Sequence, residues 1–389
     1  MRRLPTPNFM KPLRHNRKLL EEKFGPLEKH REAPAFWVNT PERSAAFLDS
    51  LTQGTKRVIG KSVSGRDILA VEYGVEEPLV GVTSESLHSS IASQIAPCDP
   101  TRIFPESFYG SGERERPVVV LQGGIHGGEY TGTVAALNLC AILETGKDLR
   151  GKAWPELERL ARGLRIIVIP WLNPDGAYRW ELANPETASR EAEMANTHGI
   201  APNGEIIRYQ EHQAFWPLRQ EAVGFLGAYF NDAGVNLQYD VFQENPQPET
   251  RAWMAYYRGL RPDAVVVFHC NDGTLIGPPE YYLPEGHQHL CSRIGGAVHH
   301  RLLREGLHAR RLSWADLPGM GKPFFNQISA IYHVSGALPF MIELPYGFNG
   351  YTCGTLLDAG LFSLEEIFYT ANVDGLRPYT TRAKKKKVP

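Results

Sequence analysis

Val118-Val-Val-Leu-Gln-Gly-Gly-Ile-His126-Gly-Gly-Glu129 joins a strand-like run to a loop of reactive residues. Residues 118–121 are aliphatic without interruption and mostly β-branched, which suits a strand buried on both faces. The run is shorter than about eight residues and stops at paired glycines, so a buried helix is the weaker reading. Short apolar runs with few or no polar residues recur at residues 166–169, 264–268 and 340–344. Between the first two, residues 130–144 carry Val134, Leu137, Leu139, Cys140, Ile142 and Leu143 as a helix would, with Gly146 as its C-cap. Strands alternating with helices predict an α/β fold with a largely parallel or mixed sheet.

Working outward from this core, residues 1–34 are rich in Lys, Arg, Pro and Glu and read as an N-terminal arm or an initial surface helix. Residues 41–51 suit a short amphipathic helix with Ala45, Phe47 and Leu51 apolar, and residues 57–73 suit two strands around a Ser-Gly turn. Residues 78–116 are polar and read as a surface excursion. There is no internal repeat and no linker, so a single α/β domain with long loops is expected over residues 35–380. Residues 381–389, with four consecutive lysines, form a solvated basic tail.

The composition narrows the function. The 389 residues are 42% hydrophobic with a net charge of −1. Such a chain can bury a sizeable core but offers no basic face for nucleic acid or anionic membrane. No apolar run approaches the ~20 residues of a membrane span, and the basic N-terminus lacks the apolar stretch of a secretory signal. Five scattered cysteines without Cys-x-x-Cys spacing argue against a disulfide framework and a thiolate metal cluster, and point to a cytoplasmic setting.

In open α/β sheets the active site lies beyond the carboxyl ends of the strands. The first run leads to His126 and Glu129, the second to Asn173-Pro-Asp-Gly176, the third directly into His269, and the fourth contains Glu343. Two histidines and a carboxylate form a set suited to zinc, with a fourth position left for water. The intervening glycines let the chain turn tightly enough for His126 and Glu129 to face one ion. Glu343 lies within Phe340-Met-Ile-Glu-Leu-Pro345, where burial would raise its pKa toward that of a general base working near neutral pH. Taken singly, each histidine also reads as a turn or core residue, and Glu343 as half of a buried ion pair. Their joint placement at strand ends is the stronger signal. Asp175 and Asp272 are candidates to orient a histidine ligand.

At this point the sequence resembles the zinc metallocarboxypeptidase family of the carboxypeptidase A type, as a divergent member. The matching pieces run in family order from about residue 36 to about residue 350. Gly60-Lys-Ser-Val-Ser-Gly65-Arg66 resembles the family's early strand-turn-strand, His126-Gly-Gly-Glu129 its first two zinc ligands, and Asn173-Pro-Asp-Gly176 its Asn-Pro-Asp-Gly loop. Pro246-Gln-Pro-Glu249-Thr-Arg251 resembles a Glu-Pro-Glu-Thr helix start, His269 falls at the third ligand, and Glu343 at the catalytic glutamate. The resemblance implies a three-layer α/β/α sandwich with a mixed, largely parallel eight-stranded sheet and one Zn2+ per chain.

One departure bears on the substrate. Where the family carries Asp-x-Asn-Arg, this chain reads Asn236-Leu-Gln238-Tyr239, so Gln238 and Tyr239 replace the Asn and Arg that bind a terminal carboxylate. Neither brings the positive charge of a bidentate arginine. Arg179, Arg190, Arg208 and Arg219 lie between the matched segments and are candidates for that charge or for oxyanion stabilisation. Tyr332 stands near the place of the family's mobile tyrosine but reads more readily as a core strand residue. The expected activity is hydrolysis of a peptide or amide bond with non-standard carboxylate recognition. An amidohydrolase acting on N-acyl amino acids, of desuccinylase or aspartoacylase type, or on cell-wall peptides is the alternative. A non-catalytic binding protein on the same scaffold is a second alternative, disfavoured because all three ligands and the base are kept.

Overall fold

A computed structural model of the chain describes residues 17–30, 32–77, 114–207, 218, 220–271, 273–276, 282–311 and 325–376. Its strands are β1 (Thr55–Lys61), β2 (Asp67–Tyr73), β3 (Val118–Gln122), β4 (Arg165–Ile169), β5 (Gly199–Ile200), β6 (Phe225–Leu226), β7 (Ala264–Asn271), β8 (Thr274–Ile276), β9 (Ala309–Arg311) and β10 (Leu338–Pro345). Eight of them form one sheet in the order β1-β2-β4-β3-β7-β10-β8-β9, and β5 pairs with β6 in a small ribbon. The four strands from the apolar runs are the central block β4-β3-β7-β10, all parallel. Antiparallel pairs flank it: β1 with β2, β2 with β4, and β10 with β8. The sheet is thus mixed, eight-stranded and parallel at its centre, as expected.

The helices are α1 (Arg17–Phe24), α2 (Pro41–Asp49), α3 (Thr131–Thr145), α4 (Pro155–Arg162), α5 (Pro174–Tyr178), α6 (Arg190–His198), α7 (Pro248–Leu260), α8 (Glu285–Arg304), α9 (Gln327–Ser335) and α10 (Cys353–Val373). Side chains alternate between the faces of a strand, and the core divides accordingly. Val119, Leu121, Ile166, Val168, Val266 and Phe268 pack on one face with Leu137 and Ile142 of α3, Ile294 and Val298 of α8, and Leu364 and Phe368 of α10. Val118, Val120, Ile167, Ile169, Val265 and Val267 pack on the other with Trp253 and Tyr257 of α7 and Ile328 and Ile331 of α9. Each such aliphatic side chain stabilises the fold by roughly 1.5–3 kcal/mol. Helix–sheet–helix is the three-layer sandwich.

Local signals in the sequence set the boundaries. Helix α3 ends where Gly146 adopts φ 76°, a left-handed cap free of Cβ strain. Helix α2 buries Pro41, Ser44 and Leu48, one position away from the apolar stripe expected through Ala45 and Phe47. Leu20 of α1 and the nearby Leu27 are buried in the main core. Residues 78–113 and 377–389 lie outside the described residues, and with them all but the last three residues of the excursion and the whole Lys-rich tail. Among the described residues, Cys140, Cys270, Cys291 and Cys353 are buried and form no disulfide with one another, and no helix is long and apolar enough to cross a membrane.

Candidate metal centre

The carboxyl ends of β3, β7 and β10 meet at one place. Beyond Gln122 the chain turns through Gly124, at φ 59°, and brings His126 and Glu129 back over the sheet. The loop is pinned by neighbouring backbone: Leu172 N–H donates to Gly123 O at 3.1 Å, Asn173 N–H to Gly124 O at 2.8 Å, and Gly127 N–H to Ala228 O at 2.8 Å. A Cβ on Gly127 would lie 2.1 Å from Ala177 N, and one on Gly176 would lie 2.3 Å from Ala228 O. Both glycines are therefore needed for three backbones to nest behind the loop. This explains sterically why His-Gly-Gly-Glu and Asn-Pro-Asp-Gly occur together.

His126, Glu129 and His269 are 1%, 2% and 3% exposed, and each offers a ligand atom within 4.8 Å of the others. His126 Nδ1 lies 3.0 Å from Glu129 Oε1, and His269 Nδ1 lies 2.8 Å from Glu129 Oε2. The tautomer of His126 follows from its other nitrogen. Asn236 Oδ1 accepts the Gln238 N–H at 3.0 Å, so His126 Nε2, 3.1 Å from the same oxygen, must donate to it. In the neutral imidazole, His126 Nδ1 is then a lone-pair acceptor. It is buried, has no hydrogen-bond partner and faces a carboxylate oxygen. Two acceptors held at that distance call for a cation between them. The donor set and this orphaned nitrogen fit a divalent metal of the zinc type.

The electrostatics agree. Burial alone would raise the Glu129 carboxyl, but the His126 and His269 imidazoles override it and hold it well below the usual carboxylate range. Glu343 pairs with His269 in the parallel register of β10 and β7, so the two side chains share a face of the sheet. It is half-buried. Burial pushes its carboxyl up, His269 pulls against the rise, and Glu129 adds to it.

Aromatic groups crowd the other side. Tyr229 stacks on His126 with ring centroids 3.7 Å apart and planes inclined by 13°, and His198 meets Tyr229 edge-on at 5.1 Å. Burial pushes the His198 imidazole down to about 4, so it is neutral. Tyr130, directly after Glu129, donates its hydroxyl to Glu193 Oε1 at 3.0 Å, and Glu193 Oε2 is buried without a partner.

Glu193 gives a pH prediction. Burial raises its carboxyl from the ordinary 4.5 to about 8, the Tyr130 hydroxyl opposing the rise. Folded protein then holds a proton that unfolded chain releases, so stability falls as pH rises from about 4.5 to about 8. Glu193→Gln keeps the shape without the proton. Its thermal midpoint should exceed that of wild type above pH 8, by at most a few kcal/mol in stability, and match it near pH 4. Parallel melting curves across that range check this.

The other expected residues fall into place as follows. Asp175 does not reach a histidine: its Oδ1 accepts Ser62 Oγ–H at 2.6 Å and Arg66 Nη1–H at 2.7 Å. Asn236 takes the orienting role at His126, and it occupies the Asp of the Asp-x-Asn-Arg pattern, a signal present in the sequence. Asp272 lies outside the described residues, as do Arg208 and Arg219. Arg179 is buried and engaged by Asp232 and by the Gly227 and Phe230 carbonyls, and Arg190 is exposed beside Phe348. Tyr332 is buried, though on helix α9 and not on a strand, edge-on to His287. Tyr239 is buried and Gln238 is half-buried; the Gln238 carbonyl accepts the Gln327 N–H at 2.8 Å. The early Ser-Val-Ser-Gly-Arg turn and the Pro-Glu-Thr helix start serve as a clasp, with Val63 N–H donating to Glu249 Oε1 at 2.9 Å and Arg66 bridging Asp175 and Asp232.

A family model described as zinc carboxypeptidase matches residues 46–304, well over half of the chain. The chain belongs to the zinc carboxypeptidase family, and membership supports a metallopeptidase-type hydrolase. The match includes His126, Glu129 and His269 and stops before Glu343, whose placement comes from the sheet register. Among solved structures, a metallo-carboxypeptidase from Burkholderia cenocepacia is similar at 15% identity and a TM-score of 0.50, covering 85% of this chain and 69% of that one. A metallo-carboxypeptidase from Pseudomonas aeruginosa, in complex with (2-guanidinoethylmercapto)succinic acid, is similar at 14% identity and 0.51, covering 87% and 70%. At such identities the likeness concerns the fold. No curated protein shows a significant sequence match.

Proposed function

We propose that the protein is a zinc-dependent hydrolase of peptide or amide bonds, with His126, Glu129 and His269 holding one metal ion per chain and Glu343 as general base. The observation that carries this reading is the convergence of His126 Nδ1, the Glu129 carboxylate and His269 Nδ1, with Glu343 in register beside His269. Zinc held there supplies Lewis acidity, polarising a carbonyl and acidifying water. Glu343 accepts the proton of the attacking water and returns it to the leaving nitrogen. Its raised carboxyl is a better proton acceptor than an exposed glutamate.

Gln238 and Tyr239 stand in the segment where the family binds the terminal carboxylate, and both are neutral. With Arg179 already engaged by Asp232, a carboxylate would meet hydrogen-bond donors in place of this guanidinium. The test is hydrolysis of peptides with free C-termini beside their amidated forms and N-acyl amino acids, with zinc present. Release of C-terminal residues from the free peptides is expected. Equal cleavage of amidated peptides, or turnover of N-acyl amino acids alone, would move the assignment to an amidohydrolase. No turnover on any member would favour a binding role.

A further inference from the structure

We infer that Tyr229 is a positioning residue for the metal centre: its ring fixes the plane of His126 and so the direction of the Nδ1 lone pair. This rests on the reading of His126 as a metal ligand. The Nε2–H bond to Asn236 Oδ1 restrains His126 at one point, and hydrogen bonds tolerate a broad range of angles. A flat aromatic neighbour removes the remaining freedom. Tyr229 lies 3.7 Å from the imidazole at 13°, close to parallel, and His198 stands edge-on behind it at 87°. The three rings form one column that ends at the ligand.

The column is mounted on fixed backbone. Ala228 N–H donates to Asn196 O and Tyr229 N–H to Thr197 O, both at 2.9 Å, which ties the segment to the last turn of α6. Ala228 O accepts the N–H of Gly127, the residue after His126, at 2.8 Å. Arg179 donates to the carbonyls on either side, Gly227 O and Phe230 O, and is itself held by Asp232, which Arg66 grips at 2.8 Å. The charged cluster therefore supports the wall against which His126 rests. The positioning is assigned to the ring of Tyr229.

Metal affinity measured by chelator competition, with the visible spectrum of the cobalt-substituted protein, tests this on wild type, Tyr229→Phe and Tyr229→Leu. Tyr229→Phe should keep the affinity within about threefold and leave the cobalt bands in place. Tyr229→Leu should weaken binding by about 10- to 100-fold, the usual effect of losing support around a ligand, and shift the bands. Tyr229→Met carries the same expectation should the leucine variant fail to fold. Unchanged affinity and bands in the folded Leu or Met variant overturn the inference, and so does an equal loss in Tyr229→Phe. Absence of metal binding in the wild type overturns the reading of the centre itself.

Discussion

Glu343→Gln is expected to lower hydrolysis by about 10²- to 10⁴-fold while the metal stays bound and the fold is kept, the range general acid–base catalysis contributes. Glu343 is placed by backbone alone: β10 runs parallel to β7 in the block whose ends carry the ligands, and their pairing sets Glu343 opposite His269. It lies outside the proposed metal trio, so amide replacement removes a proton acceptor without removing a proposed ligand. Among the described residues, His269 and Glu129 are the charges that act on the half-buried side chain. Steady-state kcat/KM at fixed metal occupancy checks the outcome, and activity within threefold of wild type would remove Glu343 from the chemistry.

His269→Ala is expected to weaken metal binding by more than about 10²-fold, beyond what a change around a ligand produces. It should also destabilise the metal-free protein by about 2 kcal/mol or more, because it strips the buried Glu129 carboxylate of the His269 Nδ1 partner 2.8 Å away. The two variants separate the roles cleanly. One loses turnover and keeps metal; the other loses both. Thermal melts with and without added zinc distinguish loss of metal from loss of fold.

Much of this was legible in the sequence, for identifiable reasons. Strands buried on both faces are apolar along most of their length, so β3, β4, β7 and β10 stand out as short apolar runs. Reactive residues directly after those runs gather at one sheet edge, which is why His126, Glu129 and His269 could be assembled before any coordinates. The short strands β8 and β9 carry no such signature. Which face each side chain takes, and that Glu343 sits level with His269, are consequences of register that a list of runs does not contain. Asn236 could have been found from its place in the Asp-x-Asn-Arg pattern; Asp175 drew attention because an acid is the commoner partner of a ligating histidine, yet it serves Ser62 and Arg66. Tyr229 and Glu193 left no trace, because each meets the centre only through tertiary packing of α6 and the loop at residues 227–232. The arginines between the motifs were visible as a set, while the partner that engages Arg179 was not.

The account stands on the claim that His126, Glu129 and His269 hold a metal ion. Elemental analysis of purified wild-type protein beside the His269→Ala variant tests it most directly. About one equivalent of zinc in the wild type and little in the variant is the predicted result. A wild type without metal after exposure to zinc, or a variant that retains as much as the wild type, would contradict it.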